Sequence, residues 1–186
     1  FRGIFYLLTD FSIYGKENIP ESGSYIITIN HVSLFEPPFI LAFWPVPPEG
    51  VGASDLWDRT GQSQLVRLYG GIPIRRGEFD REVFRKIMQV IDAQRPLLIA
   101  PEGGRSHEPG MRRAKAGIAY IVDLADVPVL PVGISGATDD FLKKALLMQK
   151  PEITMRIGEP IRLKPLRGKG EEKRLMRQEN ADQIMT

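Results

Sequence analysis

"SYIITINHVSLFEPP", residues 24–38, is the stretch that decides how this chain folds. Its first half, "SYIITIN", is short, β-branched and preceded by the turn-like "PESG", which reads as a strand. Its second half closes on Pro37 and Pro38. Pro37 pushes Glu36 away from α geometry, whereas proline is tolerated in the first turn of a helix. The stretch therefore predicts a strand, a short loop, and a helix that begins just after Glu36 and runs from about Pro38 to Phe43. On an uninterrupted helix His31 and Glu36 would point about 140° apart. The broken turn can instead bring imidazole and carboxylate together.

Outward from this stretch, helical and strand patterns alternate. "GGIPIRR", residues 70–76, starts a short strand at Ile72, and a helix is expected around Gln62–Leu68. In "FDREVFRKIMQVIDAQ" Asp80 is a candidate N-cap, and Val83, Phe84, Ile87, Met88 and Ile91 form one apolar stripe. "PLLIAP" is an apolar run of strand length, and residues 111–126 have helical spacing that buries Ile118, Ile121 and Val122. "VPVLPVGIS" reads as a buried strand despite prolines unusual in a central one. "EITMRIGEPI" alternates as a half-exposed strand, and a charged surface helix is expected over about 168–186. The expected fold class is α/β, with a mostly parallel mixed sheet flanked by helices and functional loops at strand carboxyl ends. His31 falls at such an end.

The chain has 186 residues, 42% hydrophobic and 26% charged, which is ordinary for one globular domain spanning 1–186. It has no cysteine, which removes disulfides and thiolate nucleophiles and fits a reducing, cytoplasmic compartment. With two histidines and no cysteine, no metal is expected. A net charge of +2 is too balanced to imply nucleic acid, although basic residues cluster at Arg75-Arg76, at Arg112-Arg113-Lys115 and from Lys164 to Arg177. No run of about twenty apolar residues is present to span a bilayer. The apolar "FILAFWPVPP", residues 39–48, reads as a buried helix end.

A carboxylate that accepts from one imidazole nitrogen makes the other nitrogen a better proton acceptor. That chemistry suits a base acting on a hydroxyl as it attacks an ester or thioester. The bland alternative is a structural loop histidine beside a helix-capping glutamate. "APEGGRS", residues 100–106, adds two glycines that admit a close ligand and an arginine fork suited to phosphate. Ser33 lies in no G-x-S-x-G elbow and reads as a loop hydrogen-bonder, and His107 as a solvated turn residue.

Four ordered blocks, "NHVSLFE", "GGIPIRR", "APEGGRS" and "VPVLPV", resemble those of the glycerolipid acyltransferase family. That family includes the 1-acylglycerol-3-phosphate acyltransferases. Its blocks are N-H-x4-D, G-x-I-P-I-x-R, F-P-E-G-T-R-S and V-P-V-x-P-V, and the resemblance runs over about residues 13–160. It implies a glycerol-3-phosphate acyltransferase-like fold and transfer from an acyl thioester, acyl-CoA or acyl carrier protein, with no other cofactor. The implied acceptor is a phosphate-bearing glycerolipid, commonly lysophosphatidate, met on a membrane surface by a peripheral protein. His31 would be the general base and Glu36 its partner in the aspartate's place. Arg75 or Arg76 would bind the phosphate, and Glu102, Gly103, Gly104 and Arg105 would line the acceptor site. Lys115, in a K-x-G with Gly117, would add a phosphate contact, and Pro128 would shape the acyl channel. Glu36 adds one methylene to the usual aspartate, Gly104 replaces a threonine and Ala100 an aromatic. The competing classes are a hydrolase using the same pair on water, and a non-catalytic phospholipid-binding domain.

Overall fold

The computed structural model describes residues 2–58, 62–69, 71–75, 80–106, 112–138 and 140–185. Among them seven strands form one sheet in the order β1-β7-β6-β2-β5-β3-β4. They are β1 (Asp10–Tyr14), β2 (Ile26–Ile29), β3 (Glu49–Ala53), β4 (Ile72–Ile74), β5 (Leu97–Ile99), β6 (Val129–Ser135) and β7 (Glu152–Ile157). Only β6 and β7 pair antiparallel; the other neighbours are parallel. The helices are α1 (Arg2–Leu8), α2 (Glu36–Phe43), α3 (Gln62–Tyr69), α4 (Arg81–Asp92), α5 (Gly117–Ala125), α6 (Phe141–Leu146) and α7 (Gly170–Gln183). The single-domain α/β architecture expected above is what the chain adopts.

β2 is the axis of the sheet. Ile26 pairs with Leu97 of β5 on one side and Val129 of β6 on the other. All four β2 residues are buried because helices cover both faces of the sheet. Successive side chains alternate between the faces. Ile27 and Ile29 pack with Phe39, Ile40 and Trp44 of the α2 region, Phe5 of α1 and Phe141 of α6. Ile26 packs on the other side with Val83 and Ile87 of α4 and Ile118 and Val122 of α5. The aromatic cluster on the first face is tight, with Phe5 and Phe39 edge to face at 5.1 Å. The stretch 39–48 is thus a buried helix end through Trp44, although Val46 beyond it is exposed.

Several expectations hold locally. Asp80 caps α4, its carboxylate accepting from the Glu82 amide at 2.8 Å. β7 is half-exposed, burying Ile153, Met155 and Ile157. Pro131 is tolerated inside β6 because its ring lies where β7 has ended, against Gly158, whose amide donates to the Pro131 carbonyl at 2.8 Å. The charged terminal helix is α7, held by a fork from Arg113 to Asp182 at 2.6 and 3.0 Å. That fork, with help from Gln178, pulls the Asp182 carboxyl down to about 2. Its Ala181 and Ile184 end is buried against the core.

Two boundaries differ from expectation. α2 opens at Glu36 itself, since the Phe39 amide already donates to the Phe35 carbonyl at 3.0 Å. The prolines then occupy first-turn positions whose missing N–H groups would have had no partner. The helix expected over 111–126 is confined to Gly117–Ala125. Residues ahead of it spend their amides elsewhere: Arg112 donates to the Glu102 carboxylate at 2.9 Å and Lys115 to the Pro101 carbonyl at 2.9 Å.

Gly136 ends β6 at φ 85°, and a methyl added there would lie 1.8 Å from the Glu152 carbonyl oxygen. Gly136→Ala should therefore lower the free energy of unfolding in urea by at least about 2 kcal/mol, from positive-φ strain and overpacking. Gly117→Ala, where an added methyl meets nothing within 4 Å, should change it by less than about 1 kcal/mol.

Candidate active site

The carboxyl ends of β6, β2, β5, β3 and β4 share one edge of the sheet, because these strands run parallel. Asn30 and His31 follow β2 there, Ala100–Ser106 follow β5, and Arg75 follows β4. The side chain of Asn30 fastens the end of β2 to β6. Its amide donates to the Ile134 carbonyl at 2.8 Å, and its oxygen accepts from the Ile134 amide at 2.7 Å. The chain then leaves the sheet at a fixed place, with His31 next.

The loop 31–35 folds back over Glu36. The His31 Nδ1 and a Glu36 carboxylate oxygen are 2.9 Å apart. The other oxygen accepts from the amides of Val32 at 3.1 Å and Ser33 at 2.9 Å. Glu36 is wholly buried, whereas the His31 side chain keeps 19% of its surface accessible. A carboxylate at the first turn of a helix is also favoured by the helix dipole. With Nδ1–H donating to Glu36, the lone pair of Nε2 is the one available to a substrate, and among the described residues no hydrogen bond engages it. Ser33 is buried, its hydroxyl accepting from the Phe35 amide at 3.1 Å, which makes it a loop hydrogen-bonder.

The loop after β5 closes on His31 from the other side. Glu102 is 1% exposed, and one of its oxygens accepts from the His31 amide at 3.0 Å. Its other oxygen accepts from the Arg112 amide at 2.9 Å. The Ser106 amide donates to the His31 carbonyl at 2.7 Å. Gly103 adopts φ 70°, and a methyl on it would lie 3.2 Å from Cγ of Lys115, so that lysine's stem lies along the glycine. The Arg112 guanidinium donates to the Arg105 carbonyl at 3.0 Å.

The structure thus gathers His31, Glu36, Glu102, Gly103, Gly104, Arg105 and Lys115 around the ends of β2 and β5. Arg75 lies at the same edge but three strands from β2, about 14 Å along the sheet at 4.8 Å per strand. Arg76 and His107 lie outside the described residues. Sequence reading missed Asn30 as a clip and missed the tie between the Arg112 main chain and Glu102. The signal for Asn30 was its place at the end of a strand, with donor and acceptor on one short arm. Two surface recesses, of about 370 Å³ beside Glu49 and Arg95 and about 320 Å³ beside Lys16 and Trp44, lie at the opposite edge of the sheet. Among the described residues no group of three or more His, Asp or Glu side chains is placed to hold a metal ion.

Comparison with known proteins matches a family model described as Acyltransferase to residues 10–135. Among solved structures, the chain is similar to the 1-acyl-sn-glycerophosphate (LPA) acyltransferase PlsC from Thermotoga maritima. The TM-score is 0.66 at 24% identity, and the alignment covers 99% of this chain and 74% of that one.

Proposed function

The chain belongs to the acyltransferase family, and we propose that it transfers a fatty acyl group from an acyl thioester to the hydroxyl of a phosphate-bearing glycerolipid, with lysophosphatidate as acceptor. The observation that carries this reading is the His31–Glu36 pair facing the same edge as the glycine-rich, arginine-bearing loop after β5. The acceptor named for the Thermotoga maritima relative agrees with it.

In this reading His31 Nε2 takes the proton of the acceptor hydroxyl. The oxygen attacks the thioester carbonyl, the tetrahedral intermediate collapses with cleavage of the C–S bond, and the imidazolium returns its proton to the departing thiolate. An ester and a free thiol result, with no acyl group on the protein. Glu36 fixes the ring and stabilises the imidazolium that forms in passing. Arg105, Lys115 and, from across the sheet edge, Arg75 face the acceptor's phosphate; arginine suits that role through its planar fork. General-base help supplies about 10²–10⁴-fold, and holding acceptor and thioester together supplies much of the remainder. The donor is the thioester of coenzyme A or of acyl carrier protein.

The proposed setting is a membrane surface. No helix among the described residues is long and apolar enough to cross a bilayer. Leu146, Leu147 and Met148 at the end of α6 are exposed, with Lys143, Lys144 and Lys150 beside them. Such a mixture inserts apolar side chains while lysines meet anionic headgroups. α6 also adjoins the catalytic loop, as the Phe141 ring packs tilted against Phe35 with centroids 4.7 Å apart.

His31→Ala should abolish thiol release from acyl-CoA in the presence of lysophosphatidate while the protein still melts cooperatively, at a lowered midpoint because the buried Glu36 carboxylate loses one of its three partners; activity within about threefold of wild type overturns general-base catalysis. Wild-type thiol release that is indifferent to any phosphate-bearing alcohol would instead mark a hydrolase. In a separate test, Leu146→Glu with Leu147→Glu should weaken sedimentation with phosphatidylglycerol vesicles at least about fivefold and spare transfer to a soluble short-chain acceptor. Unchanged sedimentation removes α6 from the membrane contact.

A further inference from the structure

Glu102 was expected to line the acceptor site, yet it is 1% exposed. Both of its oxygens are engaged by main-chain amides, from His31 at 3.0 Å and Arg112 at 2.9 Å. A carboxylate so placed has no surface to offer an acceptor, and its negative charge would repel a phosphate. What it does hold is informative. The two polar groups of the His31 main chain are bonded by the loop after β5: the amide by Glu102, the carbonyl by the Ser106 amide at 2.7 Å. The ring of the same residue is held by Glu36 at 2.9 Å. The far oxygen of Glu102 reaches the segment whose Arg112 guanidinium in turn donates to the Arg105 carbonyl at 3.0 Å.

We infer that Glu102 is a positioning residue for the base, tying the main chain of His31 to the segment that begins at Arg112, so that the base and the arginine-bearing loop keep one relative position. The inference rests on the acyl-transfer reading for its kinetic consequence, not for its geometry. Glutamine at 102 keeps the shape but presents one acceptor and one donor to two N–H groups. One bond is then lost, and a buried amide faces another donor. The Cα of His31 shifts, and a displacement near 1 Å at a reacting group costs up to about 100-fold.

The test uses Glu102→Gln and Glu102→Asp in the full chain, with two readouts. In steady-state transfer from acyl-CoA to lysophosphatidate, kcat should fall about 10- to 100-fold while the acceptor KM stays within about threefold. In ¹⁵N–¹H spectra the His31 amide proton, shifted downfield by its bond to a carboxylate, should move upfield in the variants. Should Glu102→Gln fail to fold by thermal melt, Glu102→Asp, which keeps the charge on an arm one methylene shorter, carries both readouts. An acceptor KM raised tenfold or more with kcat intact would place Glu102 on the substrate and overturn the inference, as would an unmoved His31 amide signal. If wild-type protein transfers to no phosphate-bearing alcohol, the functional reading fails alone, and the amide signal still decides the tether.

Discussion

A carboxylate with none of its surface in water is tolerable only where donors surround it, and at Glu36 three do: two amides of its own loop and one imidazole. Removing ordinary hydration from a charge is costly, so those bonds are obligatory for the folded state. The path of residues 31–35 follows from that need. The loop must curl back until its amides point at the carboxylate, and this curl brings the ring of His31 into reach. The same bonds that make the burial tolerable also orient the ring.

The surrounding sheet converts this local device into a site. β2 lies between β5 and β6, so the segments after all three strands meet at its end. Asn30 secures the β6 side and the Glu102 loop secures the β5 side. His31 is consequently held through its amide, its carbonyl and its ring. The loop after β5 also explains why α5 starts late. The amide of Lys115 is committed to the Pro101 carbonyl, and a helix running from residue 111 would break that bond.

Much of this was legible before the fold was known, and the reasons are specific. β2 could be read because both of its faces are buried and its residues are β-branched, and α4 because its stripe and its Asp80 cap agree. The His31–Glu36 contact could be read because two prolines forbid the one local geometry that would separate the pair. α1, β1, β3 and α6 could not. β3 is "EGVGA", half-buried and rich in glycine, with no periodicity to betray it. β1 is an edge strand whose pairing with β7 spans most of the chain. The role of Glu102 was hidden for a related reason: family likeness marks a residue as important, but only burial and bond partners distinguish a side chain that touches substrate from one that holds its neighbour.

The site depends on Glu36 setting the protonation pattern of the His31 ring. Direct ¹⁵N detection of the imidazole nitrogens in the neutral ring tests it. The expected spectrum shows a proton on Nδ1, hydrogen-bonded to Glu36, and a bare, pyridine-like Nε2. A ring carrying its proton on Nε2, with Nδ1 bare, would contradict it, because Nε2 would then have no lone pair with which to take a proton.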